Sequence, residues 1–181
     1  MRAGTYRLGP ANGQLLVKTG RTGLGRRAGH DLTIEVAGWE ATATVDPSDP
    51  AASSVAVTID ADSFVIREGA GGVKPLTDGD RAEIKRTLQR EILQTARHPA
   101  ISFQSIRVTG TPESFSIEGE LTIRDVTRPV TVRGSAADQN RVRGGATFAQ
   151  SRFGIKPYSA FFGALKLADE VEVAFDLSLP A

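Results

Sequence analysis

Cysteine is absent from this 181-residue chain, and histidine nearly so, with only two. The first absence removes disulfides, thiolate metal sites and cysteine nucleophiles. His30 and His98 form neither an HxH pair nor an HExxH helix, so the common zinc spacings are missing. No serine sits in a GxSxG elbow. No catalytic residue, metal ligand or cofactor site is therefore assigned from sequence. Aromatic residues are scarce, at 6%, with a single tryptophan. No apolar run approaches the ~20 residues that a spanning helix needs. Neither sign of charge dominates: 22 basic against 21 acidic residues leave a net charge of +1. No basic block is longer than Arg26-Arg27, which argues against a nucleic-acid partner. The opening MRAGTYRLGP has no apolar signal core, so a cytoplasmic location is the expectation.

What is present is alternation. In FSIEGELTIRDVTRPVTVR, Phe115, Ile117, Gly119, Leu121 and Ile123 share one side of an extended backbone and Ser116, Glu118, Glu120, Thr122 and Arg124 the other. Alternation resumes at Val130 and Val132, so Asp125–Pro129 reads as the connection of an antiparallel hairpin. The same period marks Tyr6/Leu8, Leu15/Val17, Leu32/Ile34/Val36, Trp39/Ala41/Ala43/Val45, Val55/Val57/Ile59 and Val171/Val173/Phe175/Leu177/Leu179. Strands this numerous, separated by Gly, Pro, Asn and Asp clusters, predict one all-β domain over 1–181, closed into a sandwich or barrel. Several inward candidates are small (Ala41, Ala43, Gly119, Gly134 and Ala146), which leaves room for a ligand unless Trp39 and the phenylalanines fill it.

One segment has another period. From Asp80 to Thr95, Ile84, Leu88 and Ile92 recur every four residues with charged residues between them, predicting an amphipathic helix capped by Thr77 or Asp78. The preceding EGAGGVKP is not a phosphate cradle, because Lys74 is followed by Pro75 rather than by Ser/Thr opening a helix. His30 beside Asp31 suggests a dyad, but neighbours on an extended chain point to opposite faces. A structural or capping role for both histidines is the simpler expectation. Arg26-Arg27, in a glycine-studded loop, is either a solvated pair or a contact for an anionic head group. Phe153, Tyr158, Phe161 and Phe162 cluster in SRFGIKPYSAFFG, as a plug or as a ligand wall.

GELTIRDVTRPVTV, RHPAISFQS, SSVAVTIDADSF and SRFGI, in this sequence at Gly119–Val132, Arg97–Ser105, Ser53–Phe64 and Ser151–Ile155, resemble the YceI family in order and spacing. The resemblance spans nearly the whole chain. It implies a lipocalin-like, extended eight-stranded antiparallel β-barrel with a helix in its long crossover. It also implies an apolar tunnel for a long isoprenoid or similar lipid, and no enzymatic chemistry. GPANG at Gly9–Gly13 and the crossover VKPLTDGDRAEIKRTLQREIL depart from the family's usual pattern and mark a divergent branch. The expected ligand-binding residues are Trp39, Phe103, Phe115, Phe148, Phe153, Phe161 and Phe162 along the chain of the lipid, with Arg26 and Arg27 at its polar end. Two rival readings stay open here. One is an enzyme acting on a small substrate with His30 or His98 and Arg26; the other is a filled-core stress or interaction protein. The oligomeric state is open, a homodimer included.

Overall fold

Alternating residues become strand through almost the whole chain. The computed structural model describes residues 1–22, 29–72, 74–136, 138, 140–160 and 165–180. Its strands are β1 (Gly4–Leu8), β2 (Gly13–Thr22), β3 (Asp31–Val36), β4 (Trp39–Val45), β5 (Ser54–Asp60) and β6 (Phe64–Ala70), followed by β7 (Ala100–Thr111), β8 (Ser114–Ile123), β9 (Val126–Ala136), β10 (Arg141–Ala149), β11 (Ser159–Ala160) and β12 (Leu165–Ser178). All lie in one sheet with the order β1-β4-β5-β7-β8-β9-β10-β12-β2-β3-β6, and β11 adds to β12. Every pairing is antiparallel. The sheet curls so that its inner faces enclose the core.

The strand count corrects the eight-stranded expectation. Among the described residues, eleven strands lie on one hydrogen-bonded path, and that path ends at β1 and β6 rather than closing on itself. Three strands are hard to read from periodicity, for separate reasons. In β6 the outward Val65 is apolar and blurs the alternation of Phe64 and Ile66. In β7 the register slips between Ser105 and Arg107, leaving Ile106 70% exposed and changing the parity of the residues beyond it. In β10 the pair Gly144-Gly145 dilutes the pattern.

The β8–β9 hairpin is tighter than the five-residue connection read from sequence. Ile123 pairs with Val126, leaving Arg124 and Asp125 as a two-residue turn with φ of 51° and 61°. Positive φ at both positions matches the strand twist, and Asp tolerates it better than most residues. Pro129 therefore lies inside β9. It pairs with Glu120 on one side, while β10 joins the other side of β9 only from Arg133 onward, so the missing N–H disrupts no ladder.

The helix α1 (Asp78–Thr87) continues through a π-helical turn at Leu88–Ile92. Thr77 caps it: its Oγ1 accepts from the Asp80 N–H, and the Asp80 carboxylate accepts from the Thr77 N–H and hydroxyl. At the other end, Leu93 is buried and the hairpin turn docks, with Arg124 donating to the Ile92 carbonyl at 3.2 Å. Ile84, Leu88 and Ile92 turn toward the core, yet none is fully buried. No helix among the described residues is long and apolar enough to cross a membrane.

Candidate functional site

The curled sheet does not close onto a solid core. Its inner faces line a cavity of about 400 Å³ whose wall is almost wholly apolar. That volume is within the range of small-molecule and cofactor sites. The strict alternation explains the wall. Leu15 and Val17 of β2, Ile117 and Leu121 of β8, Ala146 and Phe148 of β10, and Val173 and Phe175 of β12 all face the lumen. Their neighbours Glu118, Glu120 and Glu172 are exposed.

At one end α1 supplies Ile84, Leu88 and Ile92 to the lining. At the other, the lining passes to Met1, to Asp46, Pro47 and Pro50 in the β4–β5 connection, and to Thr109, Gly110, Thr111 and Pro112 at the β7–β8 hairpin. Thr109, Gly110 and Thr111 are exposed, so the lumen opens here.

Three glycines shape the wall. Phe115, Gly134, Gly144 and Phe175 stand in one row across β8, β9, β10 and β12. A Cβ on Gly134 would run into the Phe115 ring, and one on Gly144 into the Phe175 ring. Gly119 is covered in the same way by Phe103. These rings lie over neighbouring backbone instead of projecting across the lumen, so glycine here keeps the passage open by giving each ring somewhere to lie.

The expected site residues divide accordingly. Trp39, Phe103, Phe115 and Phe148 line the lumen. Phe153 does not; it is 1% exposed and packs edge-on against Phe148, ring centroids 5.4 Å apart. Arg26, Arg27, Phe161 and Phe162 lie outside the described residues. Sequence reasoning left unassigned the lining from α1 and the rim residues Met1, Pro47 and Pro112. It also left out Thr19, which follows Leu15 and Val17 in strict alternation on β2 and lines the lumen too.

The histidines and the arginine–carboxylate pairs stand outside the lumen. His30 Nε2 lies 2.7 Å from the Lys74 carbonyl oxygen, and His98 Nδ1 lies 2.9 Å from Asp125; neither histidine lines the lumen. Arg21 pairs with Asp31 through two hydrogen bonds and also donates to the Gly29 carbonyl. The hydrogen bond from Arg21 holds the Asp31 carboxyl below the usual carboxylate range. On the outer face of β12, a hydrogen bond from Arg141, joined by Arg143, does the same to Asp176. Among the described residues no group of His, Asp or Glu is placed to hold a metal ion.

Comparison with known proteins agrees with this architecture. A UPF0312 protein of Pseudomonas paraeruginosa is 28% identical over 128 residues, 65% of this chain and 60% of the relative. Protein YceI of Escherichia coli is 31% identical over 102 residues, 56% of this chain and 47% of the relative. The matched segments thus cover less than two thirds of these relatives' own length. Among solved structures, BcnA of Burkholderia cenocepacia superposes with a TM-score of 0.71 at 18% identity, covering 93% of this chain and 96% of that one. A polyisoprenoid binding domain from Saccharophagus degradans superposes with a TM-score of 0.60 at 9% identity, covering 99% and 100%. Identities this low establish the fold alone. The YceI-like domain model matches residues 6–179, and the chain belongs to that family.

Proposed function

We propose that this protein binds a long apolar molecule, an isoprenoid or similar lipid, in its lumen and sequesters or carries it without chemical change. The observation behind this reading is a continuous apolar passage from an open rim to the inner face of α1. Each square ångström of hydrocarbon moved from water into such a wall contributes about 25 cal/mol. A filled-core protein would have no use for that space, and a small-substrate enzyme would need polar groups converging within it. The structural neighbour described as a polyisoprenoid binding domain supports the same class of ligand.

Native mass spectrometry of the purified protein, followed by solvent extraction, tests the proposal. An apolar adduct that is released by solvent and rebinds is the expected result. A protein that carries nothing and takes up no added isoprenoid would refute it. Phe148→Asp gives a second arm, because it sets a carboxylate without a partner in the apolar wall. The variant should lose lipid while keeping its far-ultraviolet circular dichroism.

A further inference from the structure

Strands β9 and β10 are partners over part of their length. Their ladder runs from Ala136 opposite Val142 to Arg133 opposite Gly145. The same register would set Thr131 opposite Thr147 and Pro129 opposite Ala149, and among the described residues neither pair forms. Hydrogen-bonding direction alternates along an antiparallel strand. Counted from the Ile123–Val126 pair beside the tight turn, Pro129 turns its backbone toward β10, where it has no N–H to offer. At strand rise the unzipped stretch from Gly145 to Ala149 is about 13 Å long.

A groove on the outer surface follows this seam. Val130, Gly145, Ala146, Phe148 and Val173 line both the groove and the lumen, so the wall between them is one residue thick. Strand β8 runs from Ser114, at the rim hairpin, to Ile123, and the β8–β9 turn docks on Ile92. The seam flanks the turn end of β9, so it faces the α1 end of the lumen, opposite the rim. Both of its edges are fixed. On one side the turn is pinned by Arg124 to the Ile92 carbonyl and by Asp125 to His98, 2.9 Å away. On the other, the short helical turn Gln150–Phe153 is fastened to β12. There the Gln150 amide donates to the Ala168 carbonyl at 2.9 Å and the Ser151 N–H to the Asp169 carboxylate at 2.8 Å. Between these edges stands the partly buried Phe148, backed by the edge-on ring of Phe153.

We infer that this seam is a second mouth of the lumen, at the α1 end, through which an apolar chain enters and leaves when the Phe148 ring swings away from Phe153. The inference rests on the proposed apolar-ligand function and adds a route to it. A chain entering by the rim threads the lumen end-on, past Asp46 and the exposed Thr109 and Thr111. The seam admits it from the side, directly into the deep half. Turning the two rings breaks no ladder hydrogen bond, so the barrier lies in their apolar contacts.

The test caps each mouth in turn and times the uptake of retinol, a fluorescent isoprenoid. Trp39 is the single tryptophan and lines the lumen, so quenching of its emission in a stopped-flow mixer reports arrival. The chain has no cysteine, so Thr147→Cys at the seam and Glu113→Cys at the rim hairpin, both exposed, each take one biotin-maleimide and then streptavidin. The seam cap should slow uptake about tenfold and the rim cap less than about twofold. Slowing by the rim cap alone, by both caps equally or by neither would overturn the inference. Phe153→Leu loosens the support of Phe148 and should speed uptake and release together, leaving affinity unchanged. Altered affinity at an unchanged uptake rate would show that the ring only props the wall, against the inference. Should that variant fail to fold, the two caps still decide. A wild-type protein whose Trp39 emission ignores retinol refutes the apolar-ligand function and this inference with it. One that takes up retinol past a capped seam at the uncapped rate refutes this inference alone.

Discussion

A single methyl group separates an open wall from a crowded one at Gly134. Its Cβ would meet both the Phe115 ring and the Arg143 carbonyl oxygen, so the ring or the strand must move. Gly134→Ala should lower stability by about 1–3 kcal/mol, the usual penalty for overpacking, seen as a lower denaturant midpoint at unchanged slope. On the surface, the residue that matters is Asp31. Its carboxyl is held below its ordinary value chiefly by the Arg21 hydrogen bond, so the folded state binds a proton there less readily than the unfolded chain. That contribution is fully present above the unfolded aspartate value of about 3.9 and is lost as pH falls through the lowered folded value. Asp31→Asn should therefore lose stability at neutral pH and show a shallower acid limb. A parallel drop at every pH from 7 to ~2 would show that the pair's charge is not what couples stability to protons.

At the scale of elements, α1 is a cover whose apolar stripe faces a lumen instead of a packed core. Ile84, Leu88 and Ile92 line the cavity, and none is fully buried. Truncating Leu88 to Ala should cost about 1–2 kcal/mol, below the 2–5 kcal/mol typical of an enclosed leucine, because little new cavity is created beside one that already exists. A midpoint shift on the full scale would mean that the helix packs more tightly than its exposure indicates. The helix was legible in the sequence because its period differs from everything around it, and its cap was narrowed to Thr77 or Asp78. The strands were legible through alternation, which also placed Phe115 on the inner face. The path through the sheet was not, because it depends on the bulge at Ser105/Arg107, on the outward Val65 and on a turn reduced to Arg124-Asp125. Nor were the ring-over-glycine contacts, which require cross-strand register: nothing within β8 alone says that Phe115 stands opposite Gly134.

For the whole molecule, an apolar lumen is a standing cost to stability: its lining forgoes the contacts that a packed core would give. A structural role alone would favour filling it, whereas binding requires that it stay open, and the two demands can be separated experimentally. Ala146 faces the lumen opposite Val173 and carries the smallest side chain on that part of β10 apart from glycine. Ala146→Phe adds a ring where space already exists, so it should leave stability unchanged or raise it by about 0.5–2 kcal/mol, as cavity-filling substitutions commonly do. The same ring would occupy the passage and should abolish retention of added isoprenoid in a solvent-extraction assay. Gly134→Ala differs because its methyl group points into a ring and a carbonyl and not into free space; it should lower stability. A stabilised Ala146→Phe protein that no longer holds lipid would identify the lumen as space kept for a ligand. A stabilised variant that binds as before would place the ligand elsewhere, and a strongly destabilised one would show that the lumen is narrower at Ala146 than its lining indicates.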